Sequence, residues 1–114
     1  MKVYGIKNCD TVKKALRWLD EHHVRYEFHD FKKQGISLEK LQEWASGLGW
    51  ESLINKRGTT WKKLDRETQD SITTPEAALK LLQDKTSIIK RPVIEDDHVL
   101  LSGFDEVAYE EKLS

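Results

Sequence analysis

The order of hydrophobic periodicities at the start of the chain is the strongest constraint on its fold. Residues 3–6 are short and β-prone, which predicts a buried strand. A helix is predicted to follow from Thr11, capped by Asp10 or Thr11. Its single apolar stripe comprises Val12, Ala15, Leu16 and Leu19. Residues 24–28 then alternate apolar and polar, so the order strand, helix, strand predicts a parallel pair with a right-handed crossover.

The middle of the chain, about residues 37–86, is predicted to be a helical insertion. Ser37 is a suitable cap for a helix that Gly47 and Gly49 end. The apolar face of that helix would comprise Leu38, Leu41, Trp44, Ala45 and Leu48. Residues 50–72 are less regular, and Thr74 followed by Pro75 opens another helix. The buried face of this second helix would comprise Ala78, Leu81 and Leu82.

The last part of the chain returns to β structure. Residues 93–94 and 99–101 flank a polar turn, which predicts an antiparallel hairpin that Gly103 ends. A short closing helix over residues 105–113 would turn Val107, Ala108 and Leu113 inward. The whole pattern predicts an α/β fold in one domain, residues 1–114. Its core is a thioredoxin-like four-stranded mixed sheet (β-α-β … β-β-α) with the helical insertion between the halves.

Composition and charge narrow the function. The 114 residues suffice for one hydrophobic core without metal or disulfides. A formal net charge of −1 argues against nucleic acid or an anionic membrane as a partner. The sequence has neither a signal-peptide core nor an apolar run long enough to span a membrane, so we expect a cytoplasmic protein. The four histidines lack metal-site spacing with the single cysteine, and we expect no bound cofactor or metal and a monomer.

Cys9, the only cysteine, lies where the first strand gives way to the first helix. The free N–H groups and the macrodipole of a helix N-terminus stabilise a thiolate, and Lys7, Lys13 and Lys14 add nearby cations. Such surroundings lower a thiol pKa from about 8.5 into the range ~3.5–7.5. The alternative is a buried structural cysteine. The polar turn around Cys9 favours a reactive thiol over that alternative.

Two further features carry positive charge. Arg91 precedes Pro92 at the start of a predicted strand, and this proline is either an ordinary trans residue or a cis proline that exposes backbone beside the cysteine turn. A guanidinium near a thiolate would stabilise it and hold an oxyanion. The loop around Arg57 is either a binding site for the carboxylates of a peptide thiol or a solvated loop.

Three segments resemble the ArsC/Spx family, and most closely its YffB-type members. They are residues 4–15 (YGIKNCDTVKKA), 89–94 (IKRPVI) and 101–104 (LSGF). The resemblance extends over essentially the whole chain and implies a thioredoxin fold with a helical insert and a cis proline at Pro92. It places Cys9 on the nucleophile of the glutathione- and glutaredoxin-coupled arsenate reductases and Arg91 on one of three arginines that hold the oxyanion.

The chain also departs from both branches of that family. The other two arginine positions fall on Asn55 and Gly103, with Arg57 close to the first, and no histidine precedes Cys9. The Spx branch uses a Cys-x-x-Cys switch and binds RNA polymerase, but Val12 occupies the second cysteine position here. An intramolecular disulfide is therefore excluded, and what remains is monothiol chemistry with an external resolving thiol.

The resulting prediction is a glutathione-dependent monothiol oxidoreductase with Cys9 as the catalytic nucleophile. Glutathione is the expected co-substrate, and glutaredoxin is a further candidate partner. Two alternatives remain open, a non-catalytic Spx-like protein-binding module and a true arsenate reductase. The residues predicted to bind substrate or glutathione are Lys7, Asn8, Thr11, Lys13, Arg57, Arg91 and Pro92.

Overall fold

A computed structural model describes residues 1–113, which divide into two compact units. The sheet unit comprises Met1–Gln34 and the chain from Arg91 onward, and the helical unit comprises Gly35–Lys90. The predicted insertion at about residues 37–86 lies inside the helical unit. None of the helices in the described chain combines the length and apolar character that crossing a membrane requires.

The sheet unit is built on four strands in the order β2-β1-β3-β4. The strands are β1 (Lys2–Gly5), β2 (Glu27–Asp30), β3 (Val93–Glu95) and β4 (Leu100–Ser102). β1 pairs parallel with β2 and antiparallel with β3, and β3 pairs antiparallel with β4. The predicted parallel pair, the C-terminal hairpin and the mixed four-stranded sheet are all confirmed.

Two helices of the sheet unit pack around one apolar cluster. They are α1 (Asp10–Glu21) and α7 (Glu106–Leu113), whereas the single turn α2 (Phe31–Gln34) directly follows β2. The cluster joins Val3 of β1 and Ile94 of β3, which pair directly across the two central strands, to Ala15 and Leu19 of α1. Tyr109 of α7 belongs to the same cluster. The core therefore fixes α1 against β1, and with it the turn that joins them.

The helical unit contains four helices and two single turns of 3-10 helix. The helices are α3 (Leu38–Leu48), α4 (Thr59–Lys63), α5 (Arg66–Ser71) and α6 (Pro75–Asp84), and the 3-10 turns are Glu51–Leu53 and Thr86–Ile88. Ser37 caps α3 by accepting a hydrogen bond from the Lys40 N–H, and Thr74 caps α6 by accepting one from the Ala77 N–H. The predicted cap at Ser37 is confirmed, and α6 begins with Pro75 at its first position, as predicted.

The first helix starts earlier and the second strand later than predicted. α1 begins at Asp10, and Cys9 itself occupies the capping position instead of Asp10 or Thr11. After α1 the chain reverses through His23, which has a positive φ of 58°, while the Val24 N–H bonds the Leu19 carbonyl at 2.9 Å. This hydrogen bond closes the C-terminal end of the helix, so residue 24 belongs to the helix-terminating motif. β2 therefore starts at Glu27 and not at residue 24.

Helix faces differ from the predicted stripes where a large side chain competes for the core. On α1, Leu16 is only half-buried and Trp18 is buried beside Leu19. On α6, Leu79 is buried in place of Leu81. In both helices the helical spacing is correct, but the centre of the buried face is rotated. Tertiary packing decides that rotation, and periodicity alone does not.

The closing helix α7 shows the largest discrepancy. Val107 is 64% exposed, whereas Tyr109 is 1% exposed, so the predicted inward role of Val107 is wrong. The Tyr109 hydroxyl donates a hydrogen bond to the Gly103 carbonyl at 2.8 Å, and its ring meets Trp18 and Phe104 edge to face. An amphipathic aromatic side chain with a satisfied hydroxyl thus anchors the helix.

Candidate active site

Cys9 lies at the junction between β1 and α1 and caps the helix. Its backbone is extended (φ −132°, ψ 124°), and its carbonyl accepts the first intrahelical hydrogen bond from the Lys13 N–H at 2.9 Å. The N–H groups of residues 10–12 consequently have no acceptor within the helix. Of these donors, the N–H groups of Thr11 and Val12 interact with the sulfur, which takes the place of a carboxylate or hydroxyl cap.

Gly5 sets how closely the helix approaches the strand beneath this turn. A Cβ atom at Gly5 would lie 3.0 Å from Cγ2 of Val12 and 3.3 Å from Cγ1. Val12 is fully buried, so a methyl group at position 5 would require a packed side chain to shift. The absence of a side chain at position 5 therefore permits the approach that seats the first turn of α1.

The net environment lowers the pKa of the Cys9 thiol. Partial burial of the sulfur acts in the opposite direction and raises the pKa, but several donors outweigh it. In order of effect, these are the Val12 N–H, the hydrogen bond and the positive charge of the Arg91 guanidinium, and the Thr11 N–H. The N–H groups act on the sulfur without the geometry of a full capping hydrogen bond. The site therefore favours a thiolate on a half-buried side chain.

Arg91 lies at the same end of the sheet as the cysteine turn, because β3 runs antiparallel to β1 and Val93 pairs with Tyr4. The peptide bond between Arg91 and Pro92 is cis, as the resemblance implied, and β3 begins at the next residue. Pro92 is buried, and its carbonyl accepts a hydrogen bond from the Gly103 N–H at 2.8 Å. Gly103 has a φ of 83°, a backbone conformation that favours glycine. This link ties the segment that carries Arg91 to the end of β4.

The other predicted binding residues fall into two groups. Lys7, Asn8, Thr11 and Lys13 are exposed and lie within four residues of Cys9 in the turn and the first turn of α1. Arg57 lies in the helical unit, where its N–H donates to the Asn55 side-chain oxygen at 3.1 Å, just before α4. Its part in a common site with the cysteine stays a prediction.

Sequence reasoning missed two contributors to the site, namely the Val12 N–H and Gly5. Val12 counted only as a core residue, although the third position of a helix regularly donates its N–H to the cap. The signal was available in the placement of a capping residue immediately before the helix. The role of Gly5 depends on a strand-to-helix distance that no local pattern reveals. Among residues 1–113, no group of three or more His, Cys, Asp or Glu side chains could hold a metal ion.

The fold and the site together define the class of protein. It is a thioredoxin-like fold that carries a cysteine at the start of its first helix and a helical insertion between its two halves. A profile of the ArsC family matches residues 4–112, so the chain belongs to the ArsC family.

Individual relatives support the same assignment. An uncharacterized protein of Haemophilus influenzae is 44% identical over 95% of this chain and 94% of its own length. The solved structure of a YffB protein is 44% identical and superposes with a TM-score of 0.93, covering 99% of this chain and 98% of the other. The global transcriptional regulator Spx of Listeria innocua is 27% identical over 91% of this chain and 79% of its own length.

Proposed function

We propose that the protein is a glutathione-dependent monothiol oxidoreductase that acts through Cys9. The observation that carries the proposal is the lowered pKa of a half-buried thiol that receives both helix N–H groups and the Arg91 guanidinium. A thiolate is the nucleophile in thiol–disulfide exchange, and a lowered pKa increases its fraction at neutral pH. Membership of the ArsC family, which includes arsenate reductases, is in line with a thiol-based reduction.

The proposed reaction takes place in two exchanges. The Cys9 thiolate attacks the glutathione sulfur of a mixed disulfide R–S–S–G, so that a Cys9–glutathione disulfide forms and R–S⁻ leaves. The thiolate of a second glutathione then attacks that disulfide, releasing oxidised glutathione and restoring the Cys9 thiolate. One substrate disulfide is reduced and two glutathione units end as one disulfide, so electrons balance. The sequence has no second cysteine, and the resolving thiol must come from outside the chain.

The surroundings of Cys9 suit an anionic thiol such as glutathione. The Arg91 guanidinium and the exposed Lys7 and Lys13 can pair with the two carboxylates of the tripeptide. Asn8 and Thr11 supply further hydrogen-bonding groups, and Pro92 places backbone next to Arg91. Glutaredoxin is a second candidate for the resolving thiol. A reaction that consumes reduced glutathione fits a cytoplasmic location.

The decisive experiment follows the release of a peptide thiol from a glutathionylated peptide in the presence of reduced glutathione. We expect the wild-type protein to accelerate the release and Cys9→Ser to reduce it to the rate without protein. Mass spectrometry should detect the Cys9–glutathione adduct when the second glutathione is withheld. Full activity in Cys9→Ser, or a Cys9 pKa equal to that of a free thiol, would refute the proposal.

Further assays distinguish two other candidate functions from the proposed one. Spx relatives are named transcriptional regulators, so a non-catalytic protein-binding role is the first alternative. It predicts a stoichiometric complex with a purified partner such as RNA polymerase that Cys9→Ser leaves intact. Arsenate reduction is the second alternative, and an assay with arsenate, glutathione and glutaredoxin tests it. The glycine at position 103, where the reductases would place an arginine, argues for weak or no arsenate turnover.

A further inference from the structure

Two hydrogen bonds meet at Gly103, immediately after β4, and together they form the Gly103 link. The Tyr109 hydroxyl donates to the Gly103 carbonyl at 2.8 Å, and the Gly103 N–H donates to the Pro92 carbonyl at 2.8 Å. The residue before Pro92 is Arg91, whose side chain hydrogen-bonds the sulfur of Cys9. A continuous series of contacts therefore runs from the closing helix α7 to the thiol at the start of α1.

The backbone of Gly103 needs both of these hydrogen bonds to hold its conformation. Its φ is 83°, and without a Cβ atom a glycine rotates more freely than any other residue. One bond restrains its N–H group, and the other restrains its carbonyl. Gly103 is buried, so loss of the Tyr109 hydroxyl would leave the carbonyl without its donor and the residue restrained on one side only.

Pro92 transmits this restraint to Arg91. The bond between Gly103 and Pro92 lies one residue beyond the pair Val93 and Ser102, so it extends the ladder of β3 and β4 toward Arg91. The proline ring fixes φ at position 92. Because Gly103 holds the carbonyl of the same residue, the backbone from which the Arg91 side chain extends is oriented as well.

The Tyr109 ring is packed on two sides, so its hydroxyl is a well-restrained donor. Trp18 and Phe104 meet the ring edge to face, with ring centroids at 5.3 and 5.1 Å. Burial raises the pKa of Tyr109, so the hydroxyl keeps its proton over the pH range in which a thiol titrates. The Gly103 link therefore stays intact while the charge of Cys9 changes.

We propose that Tyr109 is a positioning residue of the candidate active site that holds the Arg91 guanidinium against the Cys9 sulfur. It acts through the Gly103 link, and Arg91 is the group that stabilises the thiolate. The closing helix thereby helps to set the reactivity of a cysteine near the start of the chain. This inference rests on the proposed function in taking Cys9 as the reacting group, and it does not depend on glutathione as the substrate.

The pH dependence of Cys9 alkylation by iodoacetamide tests this role in Tyr109→Phe, which keeps the ring and removes only the hydroxyl. The midpoint should rise by about half a pH unit, less than in Arg91→Gln, because the guanidinium is displaced but not removed. Leu113→Ala is the control. Leu113 lies on the same helix and packs against the same apolar cluster, but it is outside the Gly103 link, so the midpoint should stay unchanged.

Two further variants identify the route by which the hydroxyl acts. When Tyr109→Phe is added to Arg91→Gln, the midpoint should not move further, because the guanidinium that Tyr109 positions is already absent. Gly103→Ala disturbs the link at its centre, since alanine is strained at a φ of 83°, and it should raise the midpoint as Tyr109→Phe does. Circular dichroism and urea unfolding establish that each variant is folded under the conditions of alkylation.

Several results would overturn the inference. They are an unchanged midpoint in Tyr109→Phe or in Arg91→Gln, an equal shift in Leu113→Ala, and a further shift of full size when Tyr109→Phe is added to Arg91→Gln. The proposed function fails on a different result, namely a wild-type protein that does not accelerate thiol release from a glutathionylated peptide. Alkylation requires no glutathione, so the two failures are distinguishable.

Discussion

The Arg91 guanidinium donates a hydrogen bond to the sulfur of Cys9, joining the segment before β3 to the start of α1. Both the hydrogen bond and the positive charge favour the thiolate over the thiol. This contact, together with the Val12 N–H, offsets the burial that would otherwise raise the thiol pKa. The reactivity of a residue near the start of the chain thus depends on one near its end.

Replacing Arg91 by Gln should raise the pKa of Cys9. The variant loses the positive charge next to the sulfur, so less thiolate is present at neutral pH and alkylation by iodoacetamide slows. The measurement is the alkylation rate as a function of pH, whose midpoint should move upward. Arg17→Gln is the control, since Arg17 is exposed about two turns further along α1. An unchanged midpoint in Arg91→Gln would show that Arg91 does not stabilise the thiolate.

Stability should depend on pH through Cys9. The folded state lowers the thiol pKa, so the thiolate's contribution to the free energy of unfolding is fully present above the unfolded pKa of about 8.5 and is lost as pH falls through the folded pKa. The difference in unfolding free energy between wild type and Cys9→Ser should therefore grow as pH rises from the folded pKa toward the unfolded pKa of about 8.5 and then level off. Urea unfolding with a reductant present measures it. A difference that stays constant with pH would show that folding leaves the thiol pKa unperturbed.

Gly5→Ala should destabilise the protein by about 1–3 kcal/mol because the new methyl group overlaps Val12. Urea denaturation measures the loss. The double variant Gly5→Ala with Val12→Ala is the test of cause, because the smaller side chain makes room for the methyl group. The double variant should lose less free energy than the sum of the two single variants. If the losses of the two single variants simply add, the close approach of strand and helix does not limit the size of the side chain at position 5.

Tyr109→Phe should cost about 1–3 kcal/mol because the buried Gly103 carbonyl loses the hydroxyl that donates to it at 2.8 Å. Burial, and to a lesser extent the charge of Asp105, raises the pKa of Tyr109, so the donor keeps its proton at neutral pH. Tyr26→Phe is a matched control, since the Tyr26 hydroxyl bonds Asp20 at an exposed position. Its loss should stay within about 0.5 kcal/mol. Equal losses in the two variants would contradict a special role for the buried bond.

Local sequence patterns were sufficient to predict those features whose structure depends on a single segment of the chain. The cap at Ser37 was predictable because a side chain and an N–H group three residues apart determine it, and the start of α6 at Pro75 followed from the Thr74-Pro75 pair. The C-terminal hairpin followed from two short apolar runs around a polar turn. The same was true of the cysteine at the start of a helix, although it was Cys9 itself that filled the capping position.

Features that depend on distant contacts were not predictable in this way. Val107 and Tyr109 are both compatible with an inward face, and only the aromatic contacts with Trp18 and Phe104 decide in favour of the tyrosine. The start of β2 depended on a helix closure at His23 that leaves no periodic signal. At the site, the chemistry of Arg91 and the resemblance of the chain to a known family made Arg91 a candidate. Its interaction with the sulfur could be recognised only from the folded structure.

The position of the helical unit within the sequence has a consequence for protein synthesis. A ribosome makes β1, α1 and β2 first, then the whole of Gly35–Lys90, and only afterwards Arg91 and β3. Until that last segment emerges, β1 lacks one of its two neighbouring strands and the thiol lacks its guanidinium. The nascent chain therefore lacks the contribution of Arg91 to the lowered pKa of Cys9 until the segment that contains Arg91 and β3 has been made.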